Sequence, residues 1–357
     1  MMKLKKDSQK GTMVNFVGIA VLFAALLVFQ QSSLATPYMR GILIQCCYVI
    51  IMVTSLNIPN GFMGQFSLGH VGFMAVGAYT SALVTKALVQ AGVPYTGLPG
   101  YAMFLIAVLV GALMAGLFGL MVSVPALRLR GDYLAIITLG FGEIIRVIIQ
   151  NIPIAGGKGL AEGQAGQPLI GIKNFSNMNV IVGLTIVCVA LMYAFVRSKY
   201  GRAIKAIRDD EIASEAAGIN TTYYKVLAFT VSAFFAGVAG AIFAHRGLGT
   251  LQTSDFTFVK STEYVLMVVL GGMGSLTGSI ISAVVLSILP EALRAFAQYR
   301  MLIYAFLLVL MMLFRPIGLC GTWEFSLLDT LRGIRGHKPK KPQAPAAVKH
   351  EEVSEDA

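Results

Sequence analysis

The chain is a succession of apolar runs, each about as long as the hydrocarbon core of a lipid bilayer is thick, separated by short stretches rich in Gly, Pro and charge. A helix that crosses such a core needs about 20 mostly apolar residues. Runs of this kind occupy residues 13–34, 41–58, 71–89, 101–123, 133–149, 178–196, 223–245, 276–289 and 301–314, and a shorter one, 262–270, stops at "GGMG". Of the 357 residues, 56% are hydrophobic and 13% charged, whereas soluble domains carry roughly a quarter charged. Mean hydropathy is +0.75. These features predict an all-α integral membrane protein with about ten transmembrane helices.

Lys3, Lys5, Lys6 and Lys10 precede the first run, as in a secretory signal. The run is longer than a signal core of roughly 7 to 15 residues and no small-x-small cleavage site precedes a soluble domain, so it reads as an uncleaved anchor. With that anchor starting inside and ten crossings, 19 of the 28 Lys and Arg fall on cytoplasmic segments, as the positive-inside rule requires. Both termini are then cytoplasmic, and the short run at 262–270 counts as a crossing. The expected organisation is a basic amino terminus at 1–12, a transmembrane domain at 13–325 with a cytoplasmic loop at 197–222, and a tail at 326–357. The tail is rich in Pro, Lys, Glu and Ala with almost nothing to bury, which predicts disorder.

Two places break the helical pattern. Asn60–Gly69 reads "NGFMGQFSLG" and Gly271–Gly278 reads "GGMGSLTG", each with a G-x-M-G core. Non-helical backbone at membrane depth is tolerated only where protein or a water-lined cavity satisfies it. Interrupted segments in the two halves of a chain are the trace of transporters built from internal repeats, with the path near the breaks; ordinary glycine turns between close-packed helices are the plainer reading. Asn57, Asn60, Gly64, Gln65, Gly271 and Gly274 are the candidate path residues there. Glu143 and Arg146 stand three apart inside a run, and intramembrane charges mark function by default. They read either as a self-neutralising packing pair or as a site for the charged groups of a zwitterion. Small residues at four-residue spacing, Gly111, Ala115 and Gly119, and Ser232, Ala236, Gly240 and Ala244, read as helix-packing faces. His70 and His245 read as helix-end residues.

Between the sixth and seventh runs lies "RAIKAIRDDEIASEAAGIN", with seven charges in nineteen residues. Its pattern predicts one amphipathic helix over 202–217, with Lys205 and Asp209 paired at i,i+4, Gly218 as the stop and Asn220 with Thr221 capping the next helix. A plain connector needs only about 2 to 8 residues, so an ordered loop of this length reads as a partner surface.

Enzymes are poorly supported. "AGGKGL" at 155–160 lacks the Walker A spacing and its Ser or Thr, and "GLGTLQ" from Gly247 fails the dinucleotide pattern. No Cys and His cluster has metal spacing. Cys46, Cys47 and Cys188 lie inside apolar runs as small hydrophobes. The net charge of +11 comes without basic clusters interleaved with aromatics, so it follows topology and gives no sign of nucleic-acid binding.

The run "SKYGRAIKAIRDDEIASEAAGINTTYYKVLAFTVSAFFAGVAGAIFAH", with "STEYVLMVVLGGMGSLTGSIISAVVLSILPEALR", "GQFSLGHVGFMAVGAYTSALV" and "RGDYLAIITLGFGEIIRVIIQN", resembles the inner-membrane permeases of high-affinity branched-chain amino acid ABC transporters, closer to the LivM type than to the LivH type. The resemblance covers roughly 41–325. It implies a permease domain in the bacterial inner membrane, paired with a second, LivH-like permease, two cytoplasmic ATPase subunits and a periplasmic binding protein. It also implies no cofactor bound by this chain, ATP being hydrolysed by the partner subunits. Under it the 202–218 stretch is the coupling helix, with Arg202, Lys205, Arg208, Asp209, Glu211 and Glu215 as docking residues and Gly218 as the bend. Its "EAAG" places Gly directly after the Ala pair, closer than in the general importer-permease motif. An ion-coupled secondary transporter using Glu143 as a proton site, without any ATPase, is the alternative from another class, and a structural subunit without its own path is a third.

Overall fold

The computed structural model describes residues 36–94, 97–126, 132–152, 169–175, 177–247 and 249–293, with single positions at 299, 302, 305, 306 and 309. The stretches expected at 1–12, 13–34, 155–160 and 326–357 lie outside the described residues, as does 301–314 but for those single positions. The described residues belong to one unit, Phe23–Glu324. In chain order the helices are α1 (Pro37–Asn57, continued by a π-helical turn at Ile58–Phe62), α2 (His70–Gln90), α3 (Leu98–Ala126), α4 (Asp132–Asn151), α5 (Met178–Arg197), α6 (Lys199–Asp209), α7 (Glu211–Ala216), α8 (Thr221–Ala244), α9 (Phe258–Gly271) and α10 (Leu276–Ala292).

Among the described residues six helices are long and apolar enough to cross a membrane: α1 with its π-turn, α2, α3, α4, α5 and α8. Their positions match the apolar runs within a few residues. α9 begins at Phe258, before the expected start at 262, because Lys260 and Glu263 neutralise each other at 2.8 Å and allow a charged first turn. Its 14 residues span about 21 Å at 1.5 Å per residue, short of a full hydrocarbon core of about 30 Å.

α8 is among the most buried spans and packs on α1, α2 and α3. Small side chains make that possible: a Cβ on Gly119 would stand 2.3 Å from the Ala233 Cβ, and one on Gly240 would stand 2.0 Å from the Met74 carbonyl oxygen. The two small-residue stripes are therefore contact faces, as their spacing predicts. The outer side of α3 instead exposes Leu105, Leu109, Leu113, Leu117 and Leu120, an apolar stripe suited to lipid. At the end of α8 remote from α7, β1 (Leu169–Ile170) pairs antiparallel with β2 (Thr250–Leu251). Cys46, Cys47 and Cys188 are buried and free. His70 opens α2 and His245 closes α8.

The single helix expected over 202–217 is two helices. α6 starts at Lys199, capped by the Ser198 hydroxyl, and ends at Asp209; Asp210 is extended (φ −156°) and its carboxylate caps α7 through the Ala213 N–H at 3.0 Å. The cause is the acid run Asp209–Asp210–Glu211. Carboxylates are favourable at a helix amino end, so starting a new helix there suits Asp210 as its cap and Glu211 in its first turn better than one continuous helix, at the cost of leaving Asp209 at the end of α6. Gly218 closes α7 with φ +82°, and the Asn220 side chain caps α8 by accepting from the Tyr223 N–H at 3.0 Å.

Candidate functional site

The first break starts from Pro59. Proline has no N–H, so the Ser55 carbonyl loses its ordinary helical partner. That carbonyl instead accepts from the Ile58 N–H and from the Ser232 hydroxyl of α8, the latter at 2.5 Å. The turn then widens: Met63 N–H donates to the Ile58 carbonyl and Gln65 N–H to the Pro59 carbonyl, both at 3.0 Å. In an α-helix Gln65 would have bonded Gly61, so the Gly61 carbonyl is left without that backbone donor. Gly64 reverses the chain at φ +73°, a region that favours glycine. The Asn60 side-chain oxygen Oδ1 accepts from the Ser67 N–H at 2.9 Å, and α2 resumes at His70, whose Nε2 lies 3.0 Å from the Ser232 hydroxyl.

The second break ends α9 at Gly271, where a Cβ would stand 2.6 Å from the Gly278 carbonyl oxygen of α10. Gly272 and Gly274 take φ +108° and +88°, and the Ser275 hydroxyl caps α10 by accepting from the Gly278 N–H at 3.1 Å.

The two breaks touch. Asn57, fully buried, uses its whole side-chain amide between them: its oxygen accepts from the Gly274 N–H at 3.0 Å, and its nitrogen donates to the Ser275 carbonyl at 2.9 Å and the Ser279 hydroxyl at 2.7 Å. A Cβ on Gly61 would meet the Asn57 side-chain oxygen at 1.7 Å and the Gly274 nitrogen at 2.4 Å. Only a hydrogen fits there. Of the candidate path residues, Asn57, Asn60, Gly64, Gly271 and Gly274 thus gather at one junction. Around the first break several polar atoms are buried without a hydrogen-bond partner among the described residues: Asn60 Nδ2, Gln65 Oε1, Ser67 Oγ and His70 Nδ1. Such atoms are costly in a sealed apolar interior and suit a surface that meets water or a polar solute.

Glu143 and Arg146 do not join this junction. The Glu143 carboxylate accepts from Arg146 Nε at 2.6 Å and from the Phe258 N–H, in the first turn of α9, at 3.2 Å. A small cleft beside it is walled by Leu68, Gly72, Glu143, Phe258 and Ser261. The pair therefore ties α4 to α9.

In the charged loop the side chains divide. Lys205 stands 5.0 Å from the centre of the Phe62 ring in the first break, not against Asp209. Arg208 donates through Nη1 to the Gly61 carbonyl at 2.5 Å. Glu211 pairs with the nearly buried Lys225 of α8 at 2.7 Å, Glu215 accepts from the Thr221 hydroxyl at 2.7 Å, and Arg202 donates to the Arg197 carbonyl at 3.2 Å. Asp209 faces out, as does Ile212, 74% exposed on α7. Ile212 lies between Glu211 and Glu215, and an isoleucine in an acid run is the sequence signal for such an exposed apolar tip. Ser232, read from its spacing only as part of a packing face, also bonds the Ser55 carbonyl, and Ser279, a hydroxyl in an apolar run without a local signal, bonds Asn57.

Residues 38–314 match the family described as branched-chain amino acid transport system / permease component. The chain is 38% identical to the high-affinity branched-chain amino acid transport system permease protein LivM of Salmonella typhimurium, over 83% of this chain and 73% of that protein. It is likewise 38% identical to LivM of Escherichia coli K12, over 84% and 74%. To the permease protein LivH of Salmonella typhimurium it is 25% identical, over 80% and 94%. No solved structure gives a significant match.

Proposed function

Since the chain belongs to the branched-chain amino acid transport permease family, we propose that it is the membrane-embedded permease subunit of an ABC importer for leucine, isoleucine and valine. It works in the bacterial inner membrane with ten crossings and both termini in the cytoplasm. A second, homologous permease completes the path, two ATPase subunits bind α6 and α7, and a periplasmic protein delivers the amino acid. The likeness to both LivM and LivH relatives supports a pair of related permeases. ATP is bound and split by the partners, and this chain holds no cofactor of its own.

The observation that carries the reading is the contact of the two broken segments, Gly61 against Gly274 beneath Asn57, with α6 reaching directly onto it. A transport path needs non-helical backbone inside the protein, and a motor needs an element that touches it. The outward side of α6 and α7, carrying Asp209, Ile212, Ala213, Glu215, Ala216 and Gly218, supplies the docking surface. Its apolar tip, Ile212, stands among exposed side chains of both signs, Arg202, Lys205, Asp209, Asp210 and Glu215.

The test is to purify the tagged chain from its native host, identify what accompanies it, and reconstitute the complex in proteoliposomes. Two ATPases and a second permease should be recovered, and leucine uptake should require ATP and the binding protein. A chain recovered alone, with uptake that survives ATP depletion and collapses with the proton gradient, would establish the ion-coupled carrier instead.

A further inference from the structure

We infer that Arg208 is the strut that carries movement of α6 into both broken segments at once, and so is a positioning residue for the transport step and not a docking residue for the ATPase. The inference rests on the permease reading above and adds to it the side chain through which force passes.

Arg208 sits in the last turn of α6, a helix fixed from behind by the buried Ile204 and Ile207. At its start α6 is welded to α5, since a Cβ on Gly201 would stand 2.1 Å from the Val196 carbonyl oxygen. A displaced α6 therefore moves as one body with the end of α5. The Arg208 stem runs along Gly64: its Cγ lies 2.9 Å from the place of a Gly64 Cβ. Its Nη1 donates to the Gly61 carbonyl at 2.5 Å and lies 3.0 Å from the place of a Gly274 Cβ. Gly64 and Gly274 are the fourth residues of the two G-x-M-G motifs, and both have positive φ. One side chain thus spans the equivalent glycines of the two breaks, its stem at Gly64 and its head at Gly274.

The chemistry suits a strut. The Gly61 carbonyl is the one that the widened turn left without its usual donor, and a charged donor makes a hydrogen bond to it roughly twice as strong as a neutral one would. The guanidinium is planar and rigid, so it transmits displacement in a fixed direction where an ammonium on a flexible stem would not. Both glycines have positive φ, which disfavours any other residue, so Arg208 meets backbone there, and pushing it moves the breaks themselves. Arg208 keeps an exposed side, but the Nη1 that an ATPase would meet is engaged at the Gly61 carbonyl.

The test uses the complete complex, with both permeases, both ATPases and the binding protein, in proteoliposomes, and reads amino-acid uptake per ATP hydrolysed. Arg208→Met keeps the stem against Gly64 and removes the head. The expected result is a complex that purifies intact with its uptake-to-ATP ratio lowered tenfold or more, and with Arg208→Lys recovering part of that loss. An unchanged ratio would make Arg208 a packing residue only, and loss of the ATPases from a monodisperse Arg208→Met permease pair would make it a docking residue; either overturns the inference. If Arg208→Met does not assemble, Arg208→Lys carries the comparison, an intermediate loss being expected and an unchanged ratio again overturning it. A wild-type complex without ATP-dependent uptake would remove the permease reading itself, an outcome distinct from a strut that fails in a working transporter.

Discussion

Asn57 is the side chain on which the junction depends most, because its amide makes three hydrogen bonds across 217 or more residues of sequence. Asn57→Ala leaves the Gly274 N–H and the Ser275 carbonyl without that partner in a buried place, and should destabilise the protein by about 2–4 kcal/mol. Ser279→Ala removes one of the three contacts and should cost about 0.5–1.5 kcal/mol. Thermal unfolding of the two variants in the same detergent checks the order, and equal losses would mean that Asn57 is not the pin. Gly64 offers a second comparison. Gly64 and Gly92 both have positive φ, +73° and +85°, but a Cβ at Gly92 meets nothing within 4 Å whereas one at Gly64 meets Arg208. Both alanine substitutions carry the left-handed backbone cost of about 1–2 kcal/mol, and only Gly64→Ala should also lower transport severalfold, measured as uptake at matched expression. The G-x-M-G motifs and the asparagines were legible in the sequence. Their mutual contact was not, because nothing local in either motif encodes a partner so far away. The reach of Arg208 to the Gly61 carbonyl is illegible for a related reason: a charge in a polar stretch gives no sign of whether it also meets a carbonyl left open by a widened turn.

Helix boundaries show the same division between local and remote causes. Six of the ten apolar runs coincide with candidate spans to within a few residues, since the bilayer imposes both length and composition. The division of the loop into α6 and α7 was also local, and Asp209–Asp210–Glu211 would have revealed it had dipole and capping preferences been weighed against the continuous amphipathic pattern. Asp210 gives the prediction that belongs here. α7 has six residues, far below the roughly 12–15 at which an isolated helix is even marginal, so it depends on its cap and on the contacts Glu211–Lys225 and Glu215–Thr221 with α8. Asp210→Ala should cost about 1 kcal/mol of local stability and raise hydrogen exchange of the α7 amides about fivefold, leaving α8 unchanged. If α7 is the docking element, the same variant should bind the ATPases more weakly. Unaltered exchange in α7 would show that its tie to α8, and not its cap, holds it.

The two transport classes differ in where the driving free energy enters, and Glu143 separates them. In an ion-coupled carrier a membrane carboxylate must take up and release a proton, so its amide equivalent cannot cycle. In the structure both carboxylate oxygens are engaged, one with Arg146 at 2.6 Å and one with the Phe258 N–H at 3.2 Å, and the residue acts as a joint between α4 and the start of α9. Glutamine preserves an oxygen acceptor for that N–H, so Glu143→Gln should keep uptake within about threefold, the loss expected from weakening one charge-assisted contact. Leucine preserves nothing polar: it strands the Phe258 N–H and removes the counterion of Arg146, which is 26% exposed. Glu143→Leu should therefore cost about 1–3 kcal/mol and lower the melting temperature. The decisive assay is uptake into proteoliposomes supplied with ATP while an uncoupler holds the proton gradient at zero. Robust uptake by the wild type and by Glu143→Gln is expected, because the work then enters at α6 and α7 and Glu143 only holds the frame against which the broken segments move. A Glu143→Gln variant that melts normally yet transports nothing would relocate the energy input to the membrane carboxylate, and the contact between the two breaks would have to be explained as the floor of a proton-linked site.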